Sequence, residues 1–83
     1  MRNIDYTRQF LKEWAKAKRS DLSDAVKNLV ALVKTSPFQT PPPYEKLKGY
    51  DNTYSRRINR QHRLVYKVYP DGIEFLRCWG HYK

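Results

Sequence analysis

Four prolines within seven residues, Pro37, Pro41, Pro42 and Pro43, divide this chain into two halves that fold by different rules. Proline fixes φ and carries no N–H. The stretch "SPFQTPPPYEKLKGYDNT" is therefore neither a regular helix nor a central strand, and follows a stiff, extended path. A loop of that length inside a small domain is usually functional or disordered, and the prolines argue against disorder.

Upstream of the prolines the hydrophobic period is helical. "MRNID" reads as a brief strand with Ile4 turned inward. Tyr6, Phe10, Leu11 and Trp14 then fall at helical spacing, with Asp5 or Thr7 available as the cap. "KAKRSD" interrupts the pattern. Ser20 or Asp21 can cap a second helix, whose stripe runs through Leu22, Val26, Leu29, Val30 and Val33 and ends near Thr35. Two antiparallel helices joined by a tight turn are the natural reading.

Downstream of Asn52 the period falls to two. Residues 54–59, 63–69 and 73–80 read as strands, with "NRQH" and Pro70-Asp71-Gly72 as the turns. The order is β-α-α-β-β-β, an α+β fold in which an N-terminal helical hairpin packs on an antiparallel twisted sheet. Eighty-three residues make a single domain, 1–83. Aromatic residues make up 14% of the chain, and its seven tyrosines and two tryptophans are the means by which so short a chain can bury enough area.

The strand half carries an electrostatic problem. From Ser55 to Val68, "SRRINRQHRLVYKV" holds Arg56, Arg57, Arg60, Arg63 and Lys67 and no acid. Like charges facing each other across a sheet weaken the pairing. A phosphate-bearing partner would supply the missing negative charge. The formal net charge of +9 points the same way, with nucleic acid the first partner to consider, an acidic protein the second and an anionic membrane a distant third. The single Cys78 forms no internal disulfide. The N-terminal stretch has no apolar run like that of a signal peptide, and no segment approaches membrane-spanning length, so a cytoplasmic location is expected.

Candidate chemistry gathers at three places. If Arg57 and Arg63 pair across the connection Asn59–Gln61, they share a face and form a pincer for phosphate oxygens, with Arg56 on the opposite face. A solvated sheet face also accommodates one or two arginines. Glu45 and Lys48 lie on the stiff loop just before the basic sheet, where "EKLK" otherwise marks simple exposure. At the C-terminus, His81 is a natural proton donor or acceptor near neutral pH, and Tyr82 offers a face for stacking a base. His62 falls in a turn and is expected to face water; Trp79 is expected in the core.

These parts match what metal-free RNA cleavage requires. A base takes the proton of the ribose 2′-hydroxyl, cations hold the phosphate, and an acid protonates the departing 5′-oxygen. Glu45, the Arg57/Arg63 pair with Lys48, and His81 can fill those roles. One cysteine and two scattered histidines give no metal-ligand spacing, so no metal or other cofactor is expected. No phosphate-cradling glycine loop or nucleophile elbow is present.

"PF" at 37–38, "EKLKG" at 45–49, "YSRRINRQHRLVYKV" at 54–68 and "HYK" at the end resemble the YoeB/Txe toxins of the RelE superfamily. The resemblance spans nearly the whole chain in order and length. It implies a RelE-like fold and the toxin of a type II toxin–antitoxin pair, an endoribonuclease that cuts messenger RNA in the ribosomal A site and arrests translation. Carried over by position, it makes Glu45, Arg63 and His81 catalytic and gives Lys48, Arg57 and Tyr82 to substrate binding. It also implies a homodimer and a Phd/YefM-like antitoxin, with operator DNA bound only through the toxin–antitoxin complex. Tyr44 and Lys46 stand where the family often has proline on either side of the glutamate. Two other readings remain: a ParE-like toxin that poisons gyrase without an acid–base set, and a plain basic RNA-binding module with strongly salt-dependent affinity.

Overall fold

The computed structural model describes residues 3–80. The first strand, β1 (Asn3–Tyr6), enters directly into helix α1 (Arg8–Ala17). Thr7 makes the junction: its Oγ1 accepts the N–H of Phe10 at 3.0 Å and donates to the carbonyl of Leu76 at 2.9 Å. One hydroxyl thus caps the helix and ties it to the sheet. A turn braced by Ser20 leads to α2 (Ser23–Thr35). Ser20 is not the cap of that helix. Its Oγ accepts the N–H of Leu22 at 3.0 Å and donates to Ala17 O, and Leu22 takes the cap position without a side-chain bond.

Four strands follow: β2 (Glu45–Lys46), β3 (Thr53–Arg57), β4 (Arg63–Tyr69) and β5 (Gly72–Arg77). The sheet order is β1-β5-β4-β3-β2. The α+β architecture, with two helices on the sheet, is the one the sequence implies. It has two additions. β2 is a two-residue strand inside the segment read as loop, and β1 pairs with β5 in parallel, which makes the sheet mixed. The parallel pairing needs Gly72. A Cβ there would lie 2.5 Å from the Asn3 carbonyl oxygen, a backbone atom that cannot yield.

The helices cover one face of the sheet. Phe10, Ala17, Val26 and Val33 pack with Leu64, Tyr66, Ile73, Phe75 and Cys78, all buried, and Ile4, Trp14, Leu29 and Val30 close the margin. Each large apolar side chain fully buried in this layer contributes about 1.5–3 kcal/mol. The helical stripe carries one charged member, Glu13, which is 4% exposed.

The β3–β4 hairpin closes as its sequence indicates. Ile58 N–H donates to His62 O, and Asn59 Oδ1 accepts the N–H groups of Gln61 and His62. Arg57 and Arg63 are direct cross-strand partners.

Candidate active site

A fully buried arginine shapes the approach to the site. Arg56, on the helix-facing side of β3, donates Nε–H to Tyr66 Oη at 3.1 Å, Nη1 to Pro42 O and Nη2 to Pro37 O at 3.0 Å. Tyr66 Oη also donates to Pro37 O at 2.9 Å. The two carbonyls lie near opposite ends of the proline segment, so one guanidinium gathers both. Its charge also lies over the Tyr44 ring, 5.2 Å from the centroid. Phe38, Tyr44 and Tyr54 form a mutually packed aromatic trio on the same side. Prolines stiffen the segment; Arg56 fixes where it goes.

The chain leaves this strap at Tyr44 and forms β2, whose Glu45 pairs with Ser55 and Lys46 with Tyr54. Strand alternation then sorts the side chains. Glu45, Ser55 and Arg57 fall on one face, joined by Arg63 opposite Arg57; Lys46 goes to the other side, away from Glu45. A cleft of about 650 Å³ is lined by Tyr44, Glu45, Ser55, Arg57, Arg60 and Arg63, among others. Within it, Arg63 Nη1 donates to Ser55 Oγ at 3.1 Å and to Glu45 Oε1 at 3.4 Å. Ser55 is buried, 1% exposed, and gives the guanidinium a fixed support. The Glu45 side chain is 67% exposed. An ion pair so open to water contributes only about 0.2–1 kcal/mol, so an incoming anion can displace it.

The structure thus brings Glu45, Arg57 and Arg63 into one cleft. Lys48 lines a neighbouring recess formed by residues 46–51 instead. His81 and Tyr82 lie outside the described residues. Sequence reasoning missed Ser55, although its position two residues before Arg57 on the same strand face was there to be used.

His62 does not face water as expected. It is half-buried, its ring stacks on Trp79 with centroids 3.9 Å apart, and Nδ1 accepts the Gly80 N–H at 2.7 Å. Glu13 organises the segment just before. Its Oε2 accepts from Arg77 Nε and Nη2 at 3.0 and 2.8 Å and from Gln9, and its Oε1 accepts the N–H groups of Cys78 and Trp79. Burial pushes the Glu13 carboxyl up, but the bonds from Arg77, Gln9 and Cys78 outweigh it and leave the group below its ordinary value. Burial, helped by the Glu13 charge, pushes the Cys78 thiol up to about 12.

A second recess, of about 360 Å³ between α1, α2 and Tyr6, is lined by apolar side chains with Lys27 and Lys34. It holds neither carboxylate nor imidazole. Among the described residues, no three or more His, Cys, Asp or Glu side chains cluster as a metal site. No described helix is long and apolar enough to cross a membrane.

The whole of this architecture recurs in known proteins. The toxin YoeB of Streptomyces coelicolor is 36% identical over 70 residues, covering 83% of this chain and 82% of that protein. A YoeB/ParE toxin from Agrobacterium tumefaciens superimposes with a TM-score of 0.85 at 28% identity, covering 99% of this chain and all of that one. The YoeB dimer of Staphylococcus aureus gives 0.83 at 29% identity over 98% of both chains, and the same toxin in complex with YefM gives 0.80 at 28% over 99% of both. The family profile described as the YoeB-like toxin of bacterial type II toxin–antitoxin systems matches residues 6–82. The chain belongs to that family, and is the toxin member of such a pair.

Proposed function

We propose that this toxin is an endoribonuclease that cleaves messenger RNA in the ribosomal A site without a metal ion. The observation that carries the reading is the shared cleft of Glu45, Arg57 and Arg63. Facing guanidinium groups suit a phosphodiester, and a carboxylate within reach of Arg63 suits proton abstraction beside it. When the phosphate arrives it takes over Arg63 from Glu45, whose released oxygen accepts the 2′-hydroxyl proton. The 2′-oxygen attacks phosphorus, the bond to the 5′-oxygen breaks, and His81 donates a proton to that leaving oxygen. Arg57 and Arg63 hold the negative charge that develops meanwhile. Lys48 adds positive charge to the RNA path, and Tyr82 stacks a base. DNA has no 2′-hydroxyl and is not a substrate.

The cut is made on the ribosome, in the cytoplasm. By analogy with the S. aureus proteins, the toxin forms a dimer and is neutralised by a YefM-like antitoxin that covers the basic cleft. Operator DNA is contacted only through that complex.

Mapping messenger ends on translating ribosomes, with and without the purified toxin, tests the reading. New ends at A-site codons, suppressed by the antitoxin, are expected. Intact messengers with DNA replication halted first would overturn it in favour of gyrase poisoning. Salt-sensitive RNA binding without new ends would reduce the protein to a binding module.

A further inference from the structure

The segment that follows β5 is fastened at successive peptides rather than left to trail. Glu13 Oε1 accepts the N–H groups of Cys78 and Trp79 at 2.9 and 3.1 Å. At Gly80 the chain turns, with φ +96, a left-handed conformation that favours glycine. There the Gly80 carbonyl accepts the N–H of Arg63 at 3.2 Å, and the Gly80 N–H donates to His62 Nδ1 at 2.7 Å. One of these bonds reaches Arg63, the first residue of β4 and a guanidinium of the cleft, and the other reaches the residue just before it.

We infer that His62 is a positioning residue for the cleavage reaction: it holds the Gly80 peptide, which directly precedes His81 in the sequence, against the start of β4 beside Arg63. The inference rests on the nuclease reading and adds to it the device that presents the acid. A segment that leaves a sheet keeps its order only where something binds it. The Glu13 bonds stop at Trp79, and the Arg63 bond is a single long one. The short bond from Gly80 to His62 is the strongest link at the last described residue. Histidine suits the task in two separable ways. Nδ1 is a rigid acceptor when it carries no proton, and the flat ring rests on Trp79. A molecule whose tail is loose still binds phosphate through Arg57 and Arg63, but the acid is in place for a smaller share of the time. The loss therefore falls on kcat rather than KM.

The two functions of the ring can be divided by substitution in the full-length toxin. His62→Phe keeps a face for Trp79 and removes the acceptor; His62→Asn keeps an acceptor close to the Nδ1 position and removes the ring. Two readouts apply: hydrogen exchange of the Gly80 amide by NMR, and the rate and half-saturation of messenger cleavage on programmed ribosomes. For His62→Phe we expect about tenfold faster Gly80 exchange and about tenfold lower kcat, with KM within about twofold, from the loss of one well-formed hydrogen bond. His62→Asn should recover most of both. If His62→Phe does not fold, His62→Ala takes its place against the same Asn variant. Unchanged Gly80 exchange in the acceptor-free variant would overturn the anchor, and unchanged kcat with faster exchange would overturn its role in cleavage. Failure of the wild-type toxin to cleave would instead defeat the nuclease reading, and the exchange measurement would still judge the anchor by itself.

Discussion

Arg57 and Arg63 stand directly opposite each other across the β3–β4 pair, two cations at one rung of the ladder. Structure alone gives no reason for this choice. A like-charged cross-strand pair costs a fraction of a kcal/mol to about 1 kcal/mol relative to a neutral one. Replacing Arg57 by Met should therefore stabilise the free toxin by about 0.5 kcal/mol in urea unfolding. If the proposed mechanism holds, the same change should lower RNA cleavage by about 100-fold or more, because that mechanism has Arg57 hold the charge that develops at phosphorus. A variant that becomes less stable and cleaves normally would contradict the assignment.

Glu45 is exposed, and its ion pair with Arg63 is weak. Glu45→Gln should leave stability within about 0.5 kcal/mol of the wild type. Its cleavage rate should fall by about 100-fold or more. Combining it with His81→Gln tests the acid–base set as a whole: full toxicity of the double variant in a growth assay would reject it.

Arg56 should behave in the opposite manner. It does not line the cleft, yet it is fully buried and gathers Pro37 O, Pro42 O and Tyr66 Oη. Arg56→Met strips buried acceptors of a charged donor and should cost about 3 kcal/mol in urea unfolding. Cleavage should fall as well, because the segment carrying Glu45 loses its strap. A cost under about 1 kcal/mol would show that the prolines alone hold the segment.

Acid should weaken the protein through Glu13. Its folded-state carboxyl titrates below the ordinary value of 4.5, so the ionised group adds stability above that pH. The contribution fades as pH falls below 4.5 and through the lower folded value. Glu13→Gln should be less stable than wild type near neutrality, and the gap should narrow across this acid range. Thermal melts at a series of pH values check both statements; a constant gap would be inconsistent with them.

Cys78 should resist alkylation in the native toxin and react at once in denaturant, as a buried thiol pushed up to about 12 requires. Mass spectrometry after brief iodoacetamide treatment reads the difference.

Local patterns were enough for the helical hairpin, the three long strands and the register that sets Arg57 against Arg63. Each depends on neighbours a few residues apart. The misses are of another kind. Arg56 satisfies its donors on carbonyls 14 and 19 residues away, and Glu13 on groups 64 to 66 residues away. Nothing near either residue in the chain announces such a partner. Helical spacing does put Glu13 on the face of Phe10, Trp14 and Ala17, so its burial was legible even though its purpose was not. β2 is too short to show a period of its own. His62 looked like an ordinary turn residue because its acceptor role exists only once Gly80 arrives from β5.

The parallel pairing of β1 with β5 has a consequence for biosynthesis. β1 lies at the sheet edge with β5 as its neighbour, and Asn3 meets Gly72 only after almost the whole described chain has been made. The earliest strand to emerge waits, unpaired, for the latest, and contacts between such distant segments form slowly. Thus the frame that holds the facing Arg57 and Arg63 cannot shut until a strand that follows both of them in the chain has been made.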